Sequence, residues 1–240
     1  MKARTIILLC VASATLAAGC VPEKLSAPVS PGPVAPAQHV GTGTEISDLL
    51  ARIRIVEKLP DLAGYDRDCG RRDGCVFGPA WTDDYIGPGS HDGCDTRNQL
   101  LAYAMRDVMF KPGTHNCKVL EGTLDEPYTG RTVRFTSREP KAVAVDHMFP
   151  LSRAWDAGAA SWTLEQRKSF ANDLQDNFFA VDGRENQRKS DSGPDHWMPD
   201  NVAFRCEYTR RYLTVAAKYD LLVTVGDVRV AQSACQEHAR

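Results

Sequence analysis

Apolar residues recur at helical spacing at Ile46, Leu49, Leu50, Ile53 and Val56, which predicts a helix opening the folded part near Thr44, with Thr44 as its N-cap. Residues 60–98 carry Gly, Asp and Arg with little periodicity and read as a loop-dominated stretch. A helix is expected over 98–109. Strands are expected at 118–124 and 132–136 around the turn-forming residues 125–130, and a short apolar strand ending in charge at 142–147. Beyond it the pattern predicts a helix over 164–174, a strand at 178–181 and a helix starting within 184–189. Tyr208, Tyr212, Val215, Ala216 and Tyr219 mark an amphipathic helix, and 228–235 reads as a last one. No repeat is visible, and the mixture predicts an α+β fold.

The N-terminus has a different character. Lys2 and Arg4 form a basic start, residues 6–16 an apolar run, and Leu16-Ala17-Ala18-Gly19-Cys20 resembles a lipobox. Residues 1–19 are therefore expected to be a lipoprotein signal peptide and Cys20 an acylated anchor, a bacterial signature; the plainer reading is a secretory signal with Cys20 incidental. Residues 20–43, with Pro22, Pro28, Pro31, Pro33 and Pro36, read as an extended spacer between a membrane surface and a domain at 44–240. The expected location is the cell envelope, or outside the cell if the anchor is absent.

Composition narrows the class. With 42% hydrophobic and 25% charged residues, and four Trp, seven Tyr and eight Phe, the chain can bury a core and is not disordered throughout. No internal stretch approaches the roughly 20 apolar residues of a membrane span. The net charge is −2, and removal of Lys2 and Arg4 with the signal makes it more negative, so nucleic acid cannot be held by net charge alone. Any phosphate chemistry must be local. Setting Cys10 and Cys20 aside leaves Cys69, Cys75, Cys94, Cys117, Cys206 and Cys235. An even count in an exported chain favours disulfides, and loop closure favours neighbours: Cys69–Cys75, Cys94–Cys117 and Cys206–Cys235. Structural zinc is the competing reading, but no paired C-x₂₋₄-C knuckle is present.

Chemistry concentrates between about 142 and 191. One strand delivers Asp146 and His147 side by side; the next strand and helix return Asn177, Asn186 and Lys189. Successive strand residues face opposite ways, so Asp146 and His147 share a site only where the strand ends, and Pro150 supports an ending there. Taken singly, these residues also suit bland roles: a strand-end ion pair, turn and cap asparagines, a solvated lysine.

The combination Asp-His-x-x-Pro followed by Asn-x₈-Asn-x₂-Lys resembles the HNH, or ββα-metal, nuclease motif. It is closest to the subtype found in RNA-guided CRISPR nucleases and in C-terminal domains of some modification-dependent restriction enzymes. The region from about Tyr65 to Cys235, including Gly93-Cys94-Asp95-Thr96-Arg97-Asn98 and Phe204-Arg205-Cys206, also resembles exported bacterial HNH endonuclease family proteins. The resemblance implies a disulfide-stapled α+β domain around a ββα-metal core and metal-dependent hydrolysis of phosphodiesters in DNA, or RNA. It gives His147 the role of general base, Asp146 and Asn186 that of metal ligands, Asn177 that of orienting the His147 loop, and Lys189 that of stabilising the site or a phosphate. Asn186 is a hard oxygen donor, favouring Mg²⁺ or Mn²⁺ over Zn²⁺. An unperturbed imidazole would make activity fall below about pH 6.

Arg97, beside Asp95, reads either as a phosphate clamp or as part of a helix cap. Arg205, Arg210 and Arg211 either track a nucleic-acid backbone or solubilise the Tyr-rich helix. His196 reads as packing or as support behind the site; His39, His91, His115 and His238 have no ligand pattern and are expected to be solvent-exposed. The rival to a nuclease is a catalytically silent envelope lipoprotein acting as a binding or structural module, and a third reading is a secreted antibacterial toxin. No protein partner can be inferred.

Overall fold

The computed structural model describes residues 43–237; the signal segment, Cys20, the proline-rich stretch, His39 and His238 lie outside the described residues. Helix α1 (Gly43–Leu50) includes Thr44 rather than being capped by it. The helix stops at Leu50 although the apolar spacing continues: the N–H groups of Arg52 and Ile53 close a tighter turn on Leu49 and Leu50. Strand β1 (Ile55–Val56) then pairs in parallel with residues 223–224. Irregular chain follows, as expected, up to α2 (Thr96–Ala104), whose first turn is capped by the Asp95 carboxylate accepting the Asn98 N–H.

The helix expected over 98–109 ends at Ala104. Residues beyond it form β2 (Arg106–Phe110), which joins β3 (Val119–Asp125) and β4 (Thr132–Thr136) in an antiparallel sheet of order β2-β3-β4. Pairing with β3 supplies this segment with ladder hydrogen bonds, a tertiary gain that a local periodicity does not report.

Strand β5 (Val143–His147) is followed by α3 (Leu151–Ala157), which the sequence reading missed although Leu151, Ala154 and Trp155 lie at helical spacing and are buried. Helix α4 (Leu164–Ala171) opens with a capping box between Thr163 and Gln166. The chain returns as β6 (Phe178–Asp182), antiparallel to β5 with Asp146 opposite Phe179 and His147 opposite Phe178. Asp182 accepts the Arg184 and Glu185 N–H groups and so starts α5 (Gly183–Lys189), which ends at Lys189 instead of running on. Helix α6 (Arg205–Lys218), β7 (Val223–Thr224) and α7 (Val225–Glu237) complete the fold.

The antiparallel β5–β6 pair separates two cores. Val143, Val145, Phe178 and Ala180 join Leu100, Leu124 and Phe135 in the smaller one. Val181, Met148 and Phe149 join Trp155, Phe170, Tyr208 and Tyr212 in the larger. All three expected disulfides are present, Cys69–Cys75, Cys94–Cys117 and Cys206–Cys235.

Candidate active site

At the end of β5 an open cleft of about 780 Å³ is lined by Asp146, His147 and Asn186 together with Tyr65, Arg67 and Trp81. The alternation problem posed by adjacent Asp146 and His147 is solved by termination: His147 is the last residue of the strand, and both border the same opening.

His147 is 7% exposed, with Nε2 3.0 Å from the Ala171 carbonyl oxygen. A carbonyl only accepts, so Nε2 carries the hydrogen of the neutral ring and Nδ1 keeps a lone pair. Trp81 stacks on the imidazole (6.1 Å between centroids) and Phe178 meets it edge-on at 5.1 Å. Burial between them, with a contribution from the positive charge of Arg67, lowers the pKa from 6.5 to about 3. In the metal-free protein this imidazole is therefore not expected to give an acid limb near pH 6, in contrast to an unperturbed ring.

Asp146 is held at both oxygens. Oδ1 accepts from Lys189 Nζ at 2.8 Å, and Oδ2 accepts a hydrogen bond from the Tyr128 hydroxyl. Lys189 is wholly buried and also donates to the His147 carbonyl oxygen at 2.7 Å. Burial lowers its pKa, opposed by the carboxylate beside it. It serves Asp146 and the β5 backbone from beneath the cleft and is not open to a phosphate. Asn177, fully buried, accepts the Phe149 N–H at Oδ1 and donates from Nδ2 to the Phe170 carbonyl. It therefore ties the loop after His147 to the end of α4, one residue from the carbonyl that holds the imidazole.

Asn186, one helical turn before Lys189, is half-buried and lines the cleft. A close backbone approach puts it there: a Cβ on Gly183 would lie 1.9 Å from the Lys141 carbonyl oxygen, so only glycine lets α5 start against β5.

The arginines divide. Arg97 lines the cleft but spends Nη2 on the Pro140 and Val143 carbonyls, both at 2.9 Å, while Asp95 caps α2 and pairs with Lys118. Arg205 and Arg210 are not among the lining residues: Arg205 donates to the Pro199 carbonyl, and Arg210 pairs with Glu207. Arg211 is buried against Phe179 and the same glutamate. His196 is exposed and hydrogen-bonded to Asp195, not packed; His91 and His115 are exposed as expected. Sequence reasoning missed Arg67, Trp81 and Tyr128, which lie far from the motif in the chain and carry no spacing signal.

The family model for the C-terminal domain of GmrSD restriction endonucleases matches residues 95–225, more than half of the chain. The chain belongs to that family. The GmrSD-type segment spans α2 to the start of α7 and contains Asp146, His147, Asn177, Asn186 and Lys189, whereas Arg67 and Trp81 precede it. A protein of Arthroderma benhamiae, named only as an uncharacterized secreted protein, is 40% identical over 135 residues, 56% of this chain and 63% of that relative. The chain thus spans less than two thirds of the length of that relative. No solved structure matches the chain.

Proposed function

We propose that the protein is an exported, metal-dependent endonuclease that hydrolyses phosphodiester bonds, with DNA as the first substrate to test and RNA the second. The observation that carries the reading is the neutral His147 imidazole, Nε2 engaged and Nδ1 free, bordering one cleft with Asp146 and Asn186. Two antiparallel strands followed by a helix match the order of a ββα-metal core.

In this mechanism His147 Nδ1 takes a proton from the water that attacks phosphorus, a step typically worth about 10²–10⁴-fold. The Ala171 carbonyl holds the ring's other nitrogen throughout. Asp146 and Asn186 would hold one divalent cation. Each carboxylate oxygen has two lone pairs, so one hydrogen bond on each leaves Asp146 able to ligate, with its orientation set by Tyr128 and Lys189. Among the described residues no group of three His, Cys, Asp or Glu side chains could hold a metal. Two oxygen donors suit a hard ion that keeps water and substrate in its shell, Mg²⁺ or Mn²⁺ before Zn²⁺. When bound, the cation supplies charge neutralisation at the phosphate and the leaving 3′-oxygen. Products would carry 5′-phosphate and 3′-hydroxyl ends. Asn177 acts by position, fixing the loop that follows His147.

Three disulfides and a relative named as secreted support export. A lipid anchor at Cys20 remains part of the proposal. The test is digestion of plasmid DNA and of RNA by the full chain with Mg²⁺, Mn²⁺, Zn²⁺ or EDTA. Cleavage with a divalent ion, lost in EDTA and reduced by orders of magnitude in His147→Ala, is expected. Asp146→Ala and Asn186→Ala should instead raise the metal concentration required. A folded His147→Ala chain that cuts at wild-type rate overturns the mechanism, and inactivity with every metal favours a binding module instead.

A further inference from the structure

Three cations line the cleft, Arg67, Arg97 and Lys141. Arg97 is committed to two backbone carbonyls. Arg67 is different. Its side chain is exposed, has no hydrogen bond or ion pair among the described residues, and borders both the cleft and an adjoining cavity of about 30 Å³ shared with Trp81, His147 and Ala171. Its charge is felt at the imidazole, where it opposes protonation. Arg67, Asp68 and Asp191 all act on the Tyr65 hydroxyl, yet neither carboxylate forms an ion pair with Arg67.

The backbone that presents Arg67 is built for rigidity. The Cys69–Cys75 disulfide closes the loop; Cys75 N–H donates to the Asp68 carbonyl and Val76 N–H to the Asp66 carbonyl. The Asp66 carboxylate accepts the Gly74 N–H at 2.6 Å. An unpaired guanidinium on the braced stem of a disulfide-closed loop, bordering a cleft, is a preorganised receptor for an oxyanion, because its planar fork offers two parallel donors to two oxygens.

We propose that Arg67 binds a phosphate of the nucleic-acid strand in the cleft, and that the Cys69–Cys75 loop is the device that places it there. The inference rests on the nuclease reading and extends it to a residue outside the segment 95–225 that matches the family. It also accounts for how a chain of net charge −2 can hold a polyanion at one point.

The experiment measures binding of a fluorescent duplex DNA with Mg²⁺ present, as a function of salt, in the full chain carrying His147→Ala so that the probe stays intact. Adding Arg67→Ala should weaken binding about tenfold at low salt and lower the slope of log K against log salt by about 0.9, the loss of one phosphate contact. Arg67→Lys should keep the slope while recovering only part of the affinity. Cys69→Ser with Cys75→Ser should move towards the Arg67→Ala result, and Arg134→Ala, on β4 and paired with Glu121, should match the parent. An unchanged slope and affinity in Arg67→Ala overturn the proposal while leaving the nuclease reading intact. Unchanged binding in the paired serine variant overturns the role of the loop. Absence of binding by the parent, together with absence of cleavage by the wild type, overturns both readings.

Discussion

At His147 a single side chain shows how surroundings override a residue's ordinary chemistry. Burial between Trp81 and Phe178 keeps the imidazole neutral down to about pH 3. A folded-state pKa below the unfolded value means the unfolded chain binds the extra proton first. The contribution of His147 to stability is therefore complete above about pH 6.5 and declines, by up to about 1.4 kcal/mol per pH unit, as pH falls from there towards about 3. An NMR titration of the metal-free protein should find this ring neutral at pH 5, with the hydrogen on Nε2. A midpoint near 6.5 would contradict the buried geometry. Beneath it, Lys189 and Asp146 form an ion pair with almost no solvent contact. Lys189→Met strands the carboxylate and should cost about 3–5 kcal/mol in urea unfolding, because the lost partner leaves a buried charge uncompensated. Asn177→Ala leaves the Phe149 N–H unsatisfied in the interior and removes one of the donors to the Phe170 carbonyl, which keeps backbone N–H partners. A loss of about 1–3 kcal/mol is expected, with activity falling less than in His147→Ala, since geometry rather than the base is removed.

Among the elements, α5 is the most constrained. Its first residue touches the carbonyl of Lys141 so closely that Gly183→Ala must push the helix off β5. The expected destabilisation is at least about 1–3 kcal/mol, and Asn186 and Lys189 should lose register with Asp146, so activity should fall further than stability alone explains. Comparison of nuclease rate with urea midpoint separates the two. The disulfides act on different scales. Cys206–Cys235 and Cys94–Cys117 close loops of 29 and 23 residues, against 6 for Cys69–Cys75. Loop entropy then makes the first two nearly equal and the third about 1.3 kcal/mol weaker as a staple of the unfolded chain. Cys206 and Cys235 are also buried in the larger core, so their paired replacement should be the most damaging of the three. In the native protein none of these six sulfurs should react with a thiol reagent; labelling of two or more would break the framework.

For the molecule as a whole, much was legible along the chain. The strands at 119–125, 132–136, 143–147 and 178–182 lie within a residue or two of their expected places, because alternation and turn residues are local signals. Neighbouring cysteines paired as loop closure favours, Asp146 and His147 end the anticipated strand, and Asn186 and Lys189 stand on the anticipated helix. Asn177 lies in the turn just before β6, hydrogen-bonded to Phe149 and Phe170. Other features were decided only by the tertiary structure. Residues 106–110 became a strand because β3 was there to pair with them. The neutrality of His147 depends on Trp81, 66 positions away and brought over the ring by folding. Tyr128 reached Asp146 from the β3–β4 connection, and Arg67 reached the cleft on the stem of a disulfide-closed loop. Sequence determines which donors, acceptors and apolar periods exist, since those are properties of residues and their spacing. Burial, pKa and the convergence of distant side chains depend on which surfaces come together, and that is settled by packing alone.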